Sequence, residues 1–245
     1  MAQFNMKIAG HTAAVTSLFE STPQYFRPYL TEDEAEFSVV VTRENIEFEQ
    51  ADLLEEAHRD GFKPRVFTDP FLERAAIQRA FAEFLLEHDI ILFHGSAIAV
   101  DGEGFLFTAH SGTGKSTHTR LWREVFGSRA VMVNDDKPFL HVTESGVILH
   151  GSPWSGKHGL DANVSVPLQG LCMLERGLEN TICPANVEDI MPILHKQCYF
   201  PLEENRHVKV FPLLDTLAQT VHLWHLRCNK QPEAAKISYE AMRHQ

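Results

Sequence analysis

The sequence predicts an α/β fold in which a twisted, mixed β-sheet carries flanking helices. Two observations support this prediction. Short apolar runs typical of buried strands recur along the chain, at residues 90–93, 97–100, 105–108, 130–133, 139–142, 147–150 and 171–174. Segments with helical spacing of apolar residues lie between and after them, at residues 71–88, 116–126, 187–195 and 208–221. We therefore expect a small N-terminal α/β region at residues 1–87 and a larger domain at residues 88–245.

The N-terminal region has its own strand and helix signals. Residues 37–42 are rich in β-branched side chains, and Ile46-Glu47-Phe48 alternates in the manner of a strand. Thr68 or Asp69 can cap the helix at 71–88, with Pro70 at its first position. The acidic run at 31–36 is typical of a solvated loop. No site chemistry is visible in this region.

The larger domain begins with a predicted strand at 90–93. The turn Asp101-Gly102-Glu103-Gly104 separates the next two strands and indicates a hairpin. After the helix at 116–126 come three strands, then the strand at 171–174 and two helices. A short strand at 223–228 and a final helix opened by Pro232 complete the chain.

The composition of the chain argues against some classes of function. The chain of 245 residues has a formal net charge of −11, which argues against nucleic acid or an anionic membrane as the main partner. The four cysteines show no C-x-x-C spacing, so we expect reduced thiols rather than a disulfide framework. No secretory signal and no apolar run of membrane-spanning length are visible, and we expect a cytoplasmic protein.

Residues 109–116, Ala-His-Ser-Gly-Thr-Gly-Lys-Ser, nearly match the phosphate-loop pattern, with Ala109 in place of its first glycine. Glycines let backbone N–H groups approach phosphate oxygens, and the N-terminus of the following helix favours an anion. Lys115 supplies a positive charge for the β- and γ-phosphates, and the Ser116 hydroxyl suits Mg²⁺. The predicted nucleotide-binding residues are Ser111, Gly112, Thr113, Gly114, Lys115, Ser116 and Thr117.

Two carboxylates follow the next apolar strand, in the run Asn134-Asp135-Asp136. One of them can hold Mg²⁺, and the other can accept a proton from an attacking hydroxyl. Neighbouring side chains on an extended strand point to opposite faces, so both reach one site only if the chain turns there. Lys137-Pro138 is compatible with such a turn. The alternative is an exposed acidic loop.

His94 follows the strand at 90–93 and precedes Gly95-Ser96-Ala97. Taken alone, a histidine after an apolar run is more often a strand-end residue that makes local hydrogen bonds than a functional one. The other histidines show neither an H-E-x-x-H motif nor paired Cys/His spacing, so a zinc site is not predicted.

Three motifs follow one another along the chain: the His-Gly-Ser-Ala run, the Ser-Gly-Thr-Gly-Lys-Ser loop and the Asp-Asp pair. Their order and spacing resemble those of the HPr kinase/phosphorylase and ATP-dependent phosphoenolpyruvate carboxykinase superfamily. The resemblance covers residues 88–175. It implies a phosphoenolpyruvate-carboxykinase-like nucleotide-binding core rather than a doubly wound Rossmann sheet. It also implies His94 near the γ-phosphate, Ser116 and Asp136 as metal ligands, and Asp135 as general base, although the two carboxylates can exchange roles.

The chain also departs from that pattern. It lacks the separate substrate half of a carboxykinase and the C-terminal substrate signature of true HPr kinases. Instead, residues 151–158, Gly-Ser-Pro-Trp-Ser-Gly-Lys-His, resemble a segment of uncharacterised HPr-kinase-like proteins. This segment is either a mobile, substrate-facing loop that contains Lys157 or a plain surface turn.

The leading hypothesis is an ATP- and Mg²⁺-dependent kinase that transfers the γ-phosphoryl group to a hydroxyl of a protein, peptide or small molecule. Its catalytic residues would be His94, Lys115 and Asp135. The alternatives are a nucleotide-binding regulatory module and a carboxykinase-type phosphotransferase. We expect a nucleotide and a hydroxyl-bearing acceptor as partners. A homo-oligomer is compatible with the sequence.

Overall fold

The computed structural model describes residues 1–59, 61 and 63–243. It is a mixed α/β structure that divides into two compact units, residues 1–84 and 85–245. No helix within the described residues combines the length and the apolar character needed to cross a bilayer.

The first unit contains a four-stranded sheet in the order β3-β1-β2-β4. Its strands and helices are β1 (Ala2–Ile8), β2 (His11–Ser17), α1 (Thr22–Tyr25), β3 (Leu30–Thr31), β4 (Phe37–Val40), α2 (Arg43–Arg59) and α3 (Asp69–Leu86), the last of which continues into the second unit. Ala9 and Gly10 both have positive φ and close a tight antiparallel hairpin between β1 and β2. This hairpin was not among the predicted elements.

The predicted strand at Ile46-Glu47-Phe48 is wrong, because these residues lie inside α2. Alternation over three residues is too short to separate a strand from a helix. Helix-favouring residues flank it on both sides, and Ile46 and Glu49, three residues apart, are both buried on one helical face. The Thr42 hydroxyl and the Asn45 side chain hydrogen-bond to each other across the first turn.

The second unit contains a nine-stranded mixed sheet. Its strands are β5 (Ile90–Leu92), β6 (Ser96–Val100), β7 (Glu103–Thr108), β8 (Ala130–Asn134), β9 (Phe139–Thr143), β10 (Gly146–His150), β11 (Ser165–Arg176), β12 (Thr181–Pro184) and β13 (His222–Cys228). Its helices are α4 (Lys115–Phe126), α5 (Val187–Gln197), α6 (Glu204–Thr220) and α7 (Glu233–Met242). The predicted strands and helices of this unit are present, apart from shifts at their ends; β12 was not predicted.

The sheet curls at β11, which is shared between two sets of strands. Its first residues pair with β10. Its parallel pairing with β7 begins at Leu168 and shifts register before Gly170, from which point β11 also pairs in parallel with β13. Two apolar cores cover the two faces of the sheet. Helices α5 and α6 contribute to one core, for example through Leu194 and Leu214, and α4 and α7 contribute to the other through Trp122 and Tyr239.

The strand directions bring the predicted motifs together. β7, β11 and β13 are mutually parallel, whereas β6 is antiparallel to both β7 and β8. The C-terminal ends of β7 and β8 therefore meet the N-terminal start of β6 at a single edge of the sheet. In α/β sheets, ligands bind at the carboxyl ends of the strands.

Candidate functional site at the carboxyl edge of the sheet

The loop at 109–114 joins the end of β7 to the start of α4, as a phosphate loop requires. Gly112 and Gly114 have φ of +78° and +128°, values that residues with a side chain adopt only with strain. The Thr113 N–H donates to the His110 carbonyl and forms a turn within the loop. Helix α4 begins at Lys115, so the unpaired N–H groups of its first turn lie beside the loop.

Lys115 folds back over this loop. Its Nζ donates to the Ala109 carbonyl at 3.3 Å, and burial lowers the pKa of the amine. The charges of Asp136 and Asp135 act in the opposite direction on the same pKa, which places both carboxylates within electrostatic range of the lysine. Ser116 is exposed at the start of α4.

The chain turns immediately after β8, and Asn134 holds that turn. The buried Asn134 side chain accepts hydrogen bonds from the Asp136 N–H at 2.7 Å and the Lys137 N–H at 2.6 Å. Its amide donates to the Ser152 carbonyl at 2.8 Å. This Asx-type turn lets two adjacent carboxylates reach the same region, which an extended strand does not allow.

Asp135 is buried and linked to α4 through two hydroxyl groups. The Ser96 hydroxyl donates to Asp135 Oδ1 at 2.6 Å and lies 2.8 Å from the Thr119 hydroxyl. The Thr119 hydroxyl also contacts the Lys115 carbonyl. The side chain of Asp135 is therefore directed toward the first turns of the helix that follows the loop. Sequence reasoning assigned no role to Ser96 or Thr119, although Ser96 belongs to the motif that contains His94.

Asp136 pairs with His94. His94 Nε2 lies 3.2 Å from Asp136 Oδ1, and both side chains are one-third exposed. Burial is the largest cause that lowers the pKa of His94, and the charges of Lys137 and Lys115 add to it. Burial acts to raise the pKa of Asp136, but the hydrogen bond with His94 and the neighbouring lysines outweigh it, so this pKa is lowered. The pair thus favours a neutral imidazole beside an ionised carboxylate at neutral pH.

Gly95 lets the His94 segment lie against β7. A Cβ atom on Gly95 would lie 2.7 Å from Leu106 Cδ1 and 3.1 Å from the Phe107 carbonyl. The Gly95 N–H donates to the Asp136 carbonyl at 3.0 Å. A side chain at this position would separate the segment that carries His94 from β7, the strand that leads into the loop.

The segment at 151–158 packs against the turn of the two carboxylates. Residues 151–155 are buried, and the Ser152 hydroxyl donates to the Lys137 carbonyl at 2.6 Å. A Cβ on Gly156, which has φ of +69°, would lie 3.3 Å from Asp136 Cβ. Lys157 and His158 are exposed just beyond this contact. The segment therefore has a buried first half and an exposed tip close to Asp136.

The oxygen groups at this edge fit the chemistry of Mg²⁺. Magnesium binds through one or two carboxylates together with phosphate oxygens and water rather than in an all-protein cage. Ser116 and Asp136 supply a hydroxyl and an ionised carboxylate. Within the described ranges, no group of three or more His, Cys, Asp and Glu side chains is arranged to hold a metal ion. A Mg²⁺ ion at this edge would complete its coordination with phosphate oxygens and water.

Comparison with known proteins gives a distant likeness. No family model and no curated protein matches the chain. Among solved structures, it is similar to the Hpr(Ser) kinase/phosphatase from Coxiella burnetii, with 14% sequence identity over 52% of this chain and 93% of that chain, and a TM-score of 0.30. A likeness at this TM-score is too distant to transfer a function. Membership of the superfamily that the motifs suggest therefore stays a prediction.

Proposed function

We propose that the protein is an ATP- and Mg²⁺-dependent phosphotransferase that phosphorylates a hydroxyl group. The observation that carries this proposal is the meeting of three motifs at one sheet edge. The glycine loop with Lys115, the two carboxylates after β8 and His94 in the segment between β5 and β6 all lie there. A phosphate-binding loop alone needs no acidic pair, whereas phosphoryl transfer needs a metal ligand and a group that orients or deprotonates the acceptor.

In this proposal the loop and the N-terminus of α4 bind the phosphates, and Lys115 offsets their charge. The lowered pKa of a buried lysine does not prevent this role, because bound phosphate favours the charged amine. Ser116 and Asp136 hold Mg²⁺ when the nucleotide is bound. The metal ion supplies electrostatic stabilisation of the transferring phosphoryl group.

Asp135 is the proposed general base. Its Oδ1 is occupied by the Ser96 hydroxyl, which fixes the carboxylate and leaves Oδ2 to accept the proton of the acceptor hydroxyl. His94, held by Asp136, is placed beside the γ-phosphate. The single N–H of a neutral His94 donates to Asp136, so the imidazole orients this carboxylate without repelling the metal ion.

The test combines binding with turnover. Mg²⁺-ATP should raise the melting temperature of the wild-type protein, because a ligand that binds only the folded state stabilises it. Lys115→Ala should lose most of that shift. Lys236→Ala, which removes an exposed lysine on α7, is the matched control and should keep it. An equal shift in all three proteins would show that the loop does not hold phosphate.

Turnover is measured with γ-labelled ATP and fractionated host extract. Transfer of label to an acceptor by the wild type but not by Lys115→Ala is the expected result. Nucleotide binding without transfer to any fraction, and without ATP hydrolysis, would instead favour a nucleotide-binding regulatory module.

A further inference from the structure

Arg176, at the end of β11, contacts the glycine loop from outside. Its Nε donates to the Thr113 carbonyl at 3.1 Å, and its Nη2 donates to the Gly112 carbonyl. The neighbouring Glu175 pairs with Arg227 rather than with Arg176. The guanidinium therefore directs its N–H groups to the backbone of the loop. The proposed mechanism does not use this residue.

The position of Arg176 follows from the register and the pleat of the sheet. The parallel pairing of β11 with β7 ends where Met173 faces Thr108, and β11 continues beyond that pair to Arg176. Residues at alternate positions of a strand share one face, so Arg176 lies on the face of Cys172 and Leu174. These two side chains belong to the apolar core to which α4 contributes. Arg176 is therefore placed where the loop leads into α4.

The two hydrogen bonds set the direction of two peptide groups. The chain has no cis peptide bond, and in a trans peptide the C=O of one residue and the N–H of the next point in opposite directions. Because the Gly112 and Thr113 carbonyls both point to Arg176, the Thr113 and Gly114 N–H groups point away from it. The Thr113 N–H donates to the His110 carbonyl. The Gly114 N–H has no backbone partner among the described residues, so it is available to an anion on the side opposite Arg176.

The glycines make such a restraint necessary. Gly112 and Gly114 have φ of +78° and +128°. A peptide group beside a glycine reverses its direction at little steric cost, because no Cβ opposes the rotation. A reversed Thr113–Gly114 peptide would present a carbonyl instead of an N–H to a phosphate. Reversal would break the hydrogen bond from Arg176 to the Thr113 carbonyl, so the guanidinium opposes it.

The charge of Arg176 also favours an anion at this place. The N-terminus of a helix carries a partial positive charge, so a cation beside it is unfavourable by itself. Arg176 lies against the loop that leads into the N-terminus of α4. An anion bound to that N-terminus would offset both positive charges.

We propose that Arg176 is a positioning residue that holds the glycine loop in the orientation that binds phosphate. The inference rests on the proposed function for the ligand, whereas the restraint on the loop exists without any ligand. Arg176 acts from the carbonyl side of the loop, opposite to the bound phosphates. Its planar fork matters as well as its charge, because two of its nitrogens donate to successive carbonyls. A lysine carries the same charge without this fork.

The restraint on the loop is measured without nucleotide. Glycine is labelled with ¹⁵N, and the backbone order parameters of the wild type and of Arg176→Ala are compared by NMR. Gly112 and Gly114 should have values close to the rigid value of about 0.85 in the wild type and below about 0.6 in the variant. Gly151, whose N–H donates to the Val164 carbonyl, is the internal reference and should not change. Unchanged values at Gly112 and Gly114 would overturn the proposal, and so would an equal fall at Gly151.

Phosphate binding is measured by calorimetry with Mg²⁺-ATP and with Mg²⁺-tripolyphosphate. Arg176→Ala should weaken the binding of both ligands by about tenfold or more, because the loop donors are no longer held in place. Arg176→Lys should weaken both by about fivefold or more, since it keeps the charge and loses the fork. The matched control is Arg120→Ala, which removes an exposed arginine of α4 that pairs with Glu124. It should bind both ligands within about twofold of the wild type.

The outcomes separate this proposal from the proposed function. Wild-type affinity in Arg176→Ala would overturn the positioning role, and wild-type affinity in Arg176→Lys would show that charge alone is needed and overturn it too. A loss confined to ATP would indicate contact with the nucleoside and would also contradict it. Absence of binding of both ligands by the wild type would refute the phosphate loop of the proposed function. In that case the order parameters would still decide whether Arg176 restrains the loop.

Discussion

The buried histidine of α4 makes stability depend on pH in a way that the structure quantifies. Burial lowers the pKa of His118 to about 3, and no charged group contributes to the shift. The imidazole is enclosed by Phe107, Trp122 and Ser238, none of which is charged at neutral pH. The folded protein therefore keeps His118 neutral down to strongly acidic pH.

The direction in which stability changes with pH follows from the pKa of His118 in the unfolded and in the folded chain. The unfolded chain protonates this histidine near its ordinary pKa of about 6.5, whereas the folded chain does so near 3. Between these values the unfolded state binds more protons, so the free energy of unfolding falls as the pH is lowered. The decrease in the free energy of unfolding begins near pH 6.5 and grows by about 1.4 kcal/mol for each pH unit below it. At pH 5 the decrease amounts to about 2 kcal/mol.

The other histidines and carboxylates also titrate, so the measurement needs a matched variant. In His118→Gln the amide can still accept the hydrogen bond from Trp122 but does not titrate in this range. Urea unfolding is followed at pH 7, 6 and 5 for both proteins. Between pH 7 and pH 5, the wild type should lose about 2 kcal/mol more than the variant. Equal losses of unfolding free energy in the wild type and the variant would refute the burial of a neutral His118.

Two further predictions concern the carboxylates and the packing beneath them. Asp135→Asn should retain Mg²⁺-ATP binding and lose phosphoryl transfer, because an amide cannot accept a proton, whereas Asp136→Asn should raise the Mg²⁺ concentration needed for half-maximal activity. Exchanged phenotypes would reverse the two roles, and unchanged activity in both variants would show that neither carboxylate takes part in catalysis. Gly151→Ala should destabilise the fold by roughly 3 kcal/mol or more in urea unfolding, because its Cβ would lie 1.8 Å from the Ala162 carbonyl oxygen. Gly159→Ala, with no atom within 4 Å of the new Cβ and φ of +58°, should cost only about 1–2 kcal/mol, and equal losses would contradict the close approach at Gly151.

The sequence by itself determined the strands and helices of the second unit, apart from β12, and the order of its motifs, because these depend on local patterns. The hairpin turn at Asp101-Gly102 is an example, since both residues have the positive φ that a tight hairpin requires. In the first unit, the start of α3 was also predicted, because Pro70 fits only the first turn of a helix. Local patterns failed where they were short, as at Ile46-Glu47-Phe48, which is part of α2.

Only the tertiary structure decided which residues meet. His94 and Asp136 are 42 positions apart in the chain, and their contact exists because β6 lies beside β8 with its direction reversed. The hydroxyl chain from Asp135 through Ser96 to Thr119 has the same origin. Strand order and direction are set by packing between segments distant in sequence, and periodicity within one segment carries no information about them.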